Sequence, residues 1–167
     1  MIRTALAASC LLLVPLALGG CDALEAQDAF EQDASKPPSG IARTDAQGNL
    51  ISDDPDDWRT APLYATSFFR VATRPYPNPV SFSGGQPVNI LVTTGDAIPG
   101  GLRIVAYKGG LRRVIPGAQC DVPGPVACSF SFFPSEIAGA QPGDLWRLVL
   151  FDGQSNVVTY GDLQIES

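Results

Sequence analysis

Four cysteines, seventeen carboxylates and no histidine define the chemistry open to this 167-residue chain. The missing imidazole excludes Ser/His/Asp and Cys/His nucleophilic machinery, histidine acid–base work and any imidazole metal ligand. Thiols and carboxylates remain. Two carboxylates can run glycoside hydrolysis when they face each other across about 5–10 Å. Asp96, Asp121, Asp144, Asp152 and Asp162 instead fall mostly at expected turns, where aspartate is favoured for local hydrogen bonding. No catalytic residue is assigned, and a non-enzymatic protein is expected. The run Asp53-Asp54-Pro55-Asp56-Asp57 gathers the hard oxygens a calcium ion needs, but it lacks the alternating spacing and glycine turn of an EF-hand loop. It reads as a solvated segment, with no metal and no cofactor implied.

Cys120 and Cys128 enclose a Pro-Gly-Pro turn and form the natural disulfide pair of an exported chain. A redox or catalytic pair is disfavoured, because CxxC spacing is absent and no histidine or obvious basic partner would lower a thiol pKa. Closing so short a ring stabilises by about 2.5 kcal/mol on the chain-entropy model.

The net charge of −6 and an isoelectric point near 4.4 exclude a nucleic-acid partner, which needs a basic footprint. That acidity is local. Residues 22–57 carry Asp22, Glu25, Asp28, Glu31, Asp33, Asp45, Asp53, Asp54, Asp56 and Asp57 against Lys36 and Arg43, and their only aromatic is Phe30. Like charges with little apolar content predict a disordered, self-repelling linker over 21–57, spanning about 30–35 Å as a flexible coil. A short helix around Leu24, Ala26 and Phe30 is the alternative there.

Residues 1–20 have the layout of an export signal: Arg3, an uncharged apolar run from Leu6 to Leu18, then small residues. The apolar run is too short to span a bilayer. Its end, Leu18-Gly19-Gly20-Cys21, resembles the lipobox of bacterial lipoproteins. The resemblance implies that Cys21 becomes the mature N-terminus and carries diacylglycerol on its thiol and an acyl group on its amine, anchoring the chain to a membrane outside the cytoplasm. Cys10 is then discarded, and lipidation accounts for the odd cysteine left beside Cys120 and Cys128. Asp22 favours inner-membrane retention in some proteobacterial lipoproteins and not in other lineages, so the choice between inner and outer membrane stays open.

Residues 58–167 form the body. Their 13 glycines and 11 prolines leave no room for a long helix, and short runs rich in Val, Ile, Phe, Tyr and Thr lie between the breaks. Strands are expected at Phe68–Thr73, Val88–Thr94, Leu102–Lys108, Leu111–Ile115, Val126–Phe133, Leu145–Phe151 and Val157–Ile165, the last with a bend at Gly161. Gly109-Gly110 between two apolar runs signals a tight hairpin. Pro134–Ala138 reads as a single helical turn. The expected fold is all-β, an immunoglobulin-like two-sheet sandwich of about seven strands, with a small barrel as the alternative.

Tyr76-Pro77-Asn78-Pro79-Val80 resembles the Tyr-Pro-Asn-Pro opening of C-terminal β-sandwich modules in some secreted bacterial proteins, including type A sorting domains. The segment from Gly143-Asp144-Leu145-Trp146 to Asn156 is similar to the last hairpin of bacterial immunoglobulin-like domains. The lysine-rich ending of sorting domains is missing: Lys36 and Lys108 are the only lysines. By its residues alone the motif is a proline-stiffened start to an edge strand. The candidate binding surface comprises Trp58, Tyr64, Tyr76 and Tyr107, able to line a carbohydrate or peptide groove, and Arg112 and Arg113, a protein-contact patch beside the glycine hairpin. Expected partners are a membrane, through the lipid, and an envelope protein or glycan.

Overall fold

Glycine and proline punctuation sets most strand boundaries. In the computed structural model, which describes residues 19–167, helix α1 (Gly19–Ala34) is followed by β1 (Arg43–Thr44), β2 (Leu50–Ser52), β3 (Arg70–Tyr76), β4 (Val80–Ser81) and β5 (Val88–Thr94). Then come β6 (Ile98–Lys108), β7 (Leu111–Val122), β8 (Val126–Phe132), β9 (Leu145–Asp152) and β10 (Val157–Glu166). Single 3-10 turns lie at Pro62–Tyr64 and Pro134–Glu136. The export signal expected over residues 1–20 falls almost wholly outside the described residues. No described helix is long and apolar enough to cross a membrane.

The strands form a five-stranded sheet in the order β4-β10-β9-β6-β7, a three-stranded sheet β3-β5-β8 and a small β1-β2 pair. Strands β5 and β8 alternate, burying Val88, Ile90 and Val92 on one and Cys128, Phe130 and Phe132 on the other. These side chains share one apolar cluster with Leu102, Ile104, Trp146, Leu148, Leu163 and Ile165 of the larger sheet. Lys108 pairs with Leu111, and both Gly109 (φ 55°) and Gly110 (φ 80°) adopt the positive φ that a two-residue hairpin turn requires. The disulfide joins Cys120 on β7 to Cys128 on β8, so it ties an edge of one sheet to an edge of the other.

One expectation is refined and one needs correction. At Gly161, where a bend is expected, the pairing of β10 with β9 stays in register from Thr159 to Gln164. The glycine is needed because the Trp58 indole lies against it, and a Cβ there would stand 2.3 Å from the ring. Residues 22–57, by contrast, are not a loose leash. Helix α1, a turn and the β1-β2 pair lie in it, and Phe30 and Ala34 pack with Ala61, Val149, Val157 and Tyr160 on the outer face of the five-stranded sheet. The charge count misled because Glu31 and Asp57, two of the segment's acids, accept hydrogen bonds from the body's backbone: Val157 N–H donates to Glu31 Oε1 at 3.3 Å, and Asp162 N–H to Asp57 Oδ1 at 3.0 Å. Central strands β9 and β10 are consequently buried on both faces, and their sequences run apolar with little alternation.

Candidate functional site

Apart from their terminal Asp152 and Glu166, strands β9 and β10 each carry one charge in an otherwise largely apolar run, and the hairpin register sets Arg147 directly opposite Asp162. Both side chains are almost fully buried. The pair is bidentate, with Arg147 Nε donating to Asp162 Oδ1 at 2.8 Å and Nη2 to Oδ2 at 3.0 Å. The remaining arginine nitrogen, Nη1, donates to the carbonyls of Asp33 and Lys36, and the guanidinium stacks 5.0 Å from the Tyr160 ring centre. Asp162 also accepts from Ser39 N–H at 2.9 Å. Beside it the buried Asp57 accepts from the Ala42 and Asp162 amides, each at 3.0 Å. Burial pushes the Asp57 carboxyl up to about 7; the Ala42 amide opposes this and the neighbouring Asp162 charge adds to it. Asp162 Oδ2 and Asp57 Oδ1 thus hold the N-terminal segment onto the body, accepting from the Ser39 and Asp162 amides, while the other two oxygens are taken up by Arg147 and the Ala42 amide.

Asn78 completes this clamp from the Tyr-Pro-Asn-Pro motif. Its side chain is fully buried, donating to the Ala42 and Asp162 carbonyls and accepting from Gln164 N–H at 3.0 Å. Its backbone exchanges two hydrogen bonds with Thr44. The residue that distinguishes the motif is a fastener between the N-terminal segment and β10.

Where the end of α1 and the Pro37-Pro38 link approach the β6-β7 hairpin, a cleft of about 460 Å³ opens. Tyr107, Val149, Phe151 and Val157 form an apolar floor, while Glu31 and Lys36 supply polar groups at its wall. Tyr107 and Phe151 face each other at a tilted 6.5 Å between ring centres. That volume and lining fall in the range of small-molecule and peptide-side-chain sites. The arrangement offers contact area and a few polar handles.

Among the residues singled out by sequence, only Tyr107 lines this cleft. Trp58 is buried against Gly161. Tyr64 donates its hydroxyl to Asp152 at 2.6 Å, and burial together with that bond raises its pKa. Tyr76 sits in β3 opposite Asn89. Arg112 stands exposed, and Arg113 is tied by Nε to the Ala138 carbonyl at 2.8 Å. These six do not form one surface.

The acids disperse as well. Asp152 closes its own turn by accepting from the Gln154 and Asn156 amides. Although burial works against it, Lys108 and the Gln141 amide hold the Asp144 carboxyl below its ordinary pKa. Within the 53–57 run, Asp53 pairs with Arg74, Asp54 accepts from the amide of Asp56, and Asp57 turns inward. Among the described residues no three His, Cys, Asp or Glu side chains gather as a metal ion would require. Asp162 was grouped with the turn acids on sequence; it lies inside β10. A reading of the last hairpin's register, Arg147 against Asp162, was the available signal for it.

Compared with known proteins, the chain matches no family model, no curated protein and no solved structure.

Proposed function

We propose that this protein is a lipid-anchored module of the bacterial cell envelope, acylated at Cys21, with an immunoglobulin-like two-sheet sandwich that works by binding rather than by catalysis. The observation that carries the reading is the course of α1. The helix spans the lipobox-like Gly19-Gly20-Cys21, its residues 22–26 are all exposed, and only from Gln27 onward does it seat on the body. A helix whose residues 22–26 are exposed is compatible with processing and acylation of the cysteine that precedes them. The ordered strap also revises the geometry of anchoring: with no loose leash, the helix first seats on the body at Gln27, about 9 Å of helical rise from Cys21. A shared core between five- and three-stranded sheets supports the sandwich architecture.

Expression in a lipoprotein-processing bacterium tests this. Wild-type protein is expected in the membrane fraction, with an N-terminal peptide whose mass includes acyl chains on Cys21, and Cys21→Ser is expected in the soluble fraction. An unmodified N-terminus, or a serine variant that still fractionates with lipid, overturns the anchor.

The cleft favours a second reading, a glycan- or peptide-binding site. A tilted aromatic pair beside polar groups suits a sugar ring or a proline-rich peptide. Screening oligosaccharides and peptides against the wild type and Tyr107→Ala tests it; ligands held equally by both sink the cleft.

A further inference from the structure

We infer that the bare outer face of the β6-β7 hairpin, together with the cleft beside it, docks an extended acidic peptide in which an apolar side chain is flanked, two residues away on either side, by carboxylates. This inference rests on the cleft being a binding site, as read above, and names what it takes. Charge along the chain is the first observation. In a molecule of net charge −6, residues 97–120 hold Arg103, Lys108, Arg112 and Arg113 and no carboxylate. Asp144 neutralises Lys108, and Arg113 bonds to carbonyls. Among the described residues, Arg103 and Arg112 pair with no acid: Arg103 donates to the Ser155 hydroxyl at 2.8 Å, and Arg112 joins a hydrogen bond only through its carbonyl.

Alternation along β6 turns Leu102, Ile104 and Ala106 into the core and Arg103, Val105 and Tyr107 to the outer face. Register sets Arg112 beside Tyr107, Val114 beside Val105 and Phe151 beside Arg103 on that same face. Helix α1 covers the β9-β10 half of the face and leaves the β6-β7 half bare, where Val114 is 57% exposed. Arg103 and Tyr107 stand four residues apart, about 13 Å along the strand, yet the Tyr107 and Phe151 rings approach to 6.5 Å. The rings therefore lean together across the row formed by Val105 and Val149, both buried. One aromatic floor thus has an arginine at each end: Arg103, stacked 5.9 Å from the Phe151 ring centre, and Arg112 beside Tyr107.

An extended peptide matches this spacing. Its side chains i, i+2 and i+4 point the same way, and the first and last lie about 13 Å apart. Carboxylates at i and i+4 meet the two arginines, whose planar guanidinium suits a carboxylate, while the side chain at i+2 enters the cleft. Ala34, Pro37, Pro38, Val149 and Val157 give the cleft an aliphatic lining that suits a leucine; sugar hydroxyls buried there would lose their bonds to water without replacement. Glu31, the one carboxylate of the lining, stands on the α1 wall, across the cleft from β6 and β7. Its Oε1 already accepts from Gln27 Nε2 and Val157 N–H.

The test titrates the full chain against a capped, fluorescent heptapeptide in which threonine alternates with glutamate, leucine and glutamate, in that order. Binding is expected, and it is expected to weaken as salt rises. Replacing both glutamates by glutamine, or combining Arg103→Gln with Arg112→Gln, is expected to raise the dissociation constant about tenfold, and making both changes together to add little more. Arg112→Gln alone alters an exposed side chain; about a threefold loss is expected with an unchanged melting temperature, and none from Arg70→Gln on the three-stranded sheet. Arginine variants that bind as the wild type does overturn the inference. Acidic and glutamine peptides held equally, both weakened by Tyr107→Ala, overturn the acidic preference and leave the cleft a peptide site. Trigalacturonate or a neutral oligosaccharide held in a Tyr107-dependent way while the peptide stays free assigns the cleft to a glycan and overturns the inference. Finding no Tyr107-dependent ligand among these probes overturns the cleft as well.

Discussion

Two flanks of the five-stranded sheet are secured by opposite means. At β7 a covalent bond between Cys120 and Cys128 draws the neighbouring sheet in. At β9 and β10 the Arg147–Asp162 pair, with Asp57 and Asn78, fastens the N-terminal segment by hydrogen bonds that join residues as far apart as Ser39 and Asp162. The disulfide acts chiefly by restricting the unfolded chain and is indifferent to pH. The clamp exists only in the folded state, and removing one member leaves the others buried and uncompensated. A small body can therefore be held shut by one element whose loss is bounded and another whose loss propagates.

The largest separation between the flanks is expected from Arg147→Ala. It strands Asp162 beside Asp57 and frees the Asp33 and Lys36 carbonyls, so chemical denaturation is expected to register a loss of about 3–5 kcal/mol. A loss below that of the disulfide would reverse the ranking. Replacing both Cys120 and Cys128 by alanine is expected to cost about 2.5 kcal/mol while circular dichroism stays unchanged. Unaltered stability would show the β7 flank held by packing alone.

Gly161→Ala probes the clamp side through sterics. The added Cβ meets the rigid Trp58 ring, and overpacking of this kind costs about 1–3 kcal/mol. Wild-type stability in that variant would mean that the indole moves aside freely.

Changing pH sharpens the comparison most finely. Asp57 has a folded pKa of about 7, above its ordinary 3.8, so the folded state binds the proton more tightly and gains stability in acid. That gain is complete below about 3.8, declines by at most ~1.4 kcal/mol per pH unit on the way up, and is gone above 7. Denaturation midpoints measured from pH 4 to 8 in the wild type and in Asp57→Asn check this. Only the wild type is expected to carry the declining component, and parallel profiles would remove Asp57 as its source.

Much of the body was legible one residue at a time. Val88–Thr94 announced β5 because its alternation matches a sheet with one buried face, and Gly109-Gly110 announced its hairpin because two consecutive positive φ angles suit glycine. Cys120 and Cys128 could be paired because only two thiols remain once the expected export signal and the expected lipidation site Cys21 are set aside. The clamp was illegible for the complementary reason. Arg147, Asp57 and Asn78 look like a strand charge, a linker acid and a turn residue until the chain brings them together. Of the aromatics chosen for a groove, Tyr107 alone reached one, because a small body needs Trp58 and Tyr64 for packing and hydrogen bonding.

Local pattern and composition by themselves determined an all-β body, most of its strand positions, the disulfide and the absence of histidine chemistry. Tertiary structure alone decided that the acidic N-terminal segment is part of that body, which residues lie beneath it, and where the cleft opens. The reason is that periodicity and turn chemistry act between near neighbours in the chain. The burial of a charge depends instead on partners that folding brings in from more than a hundred residues away.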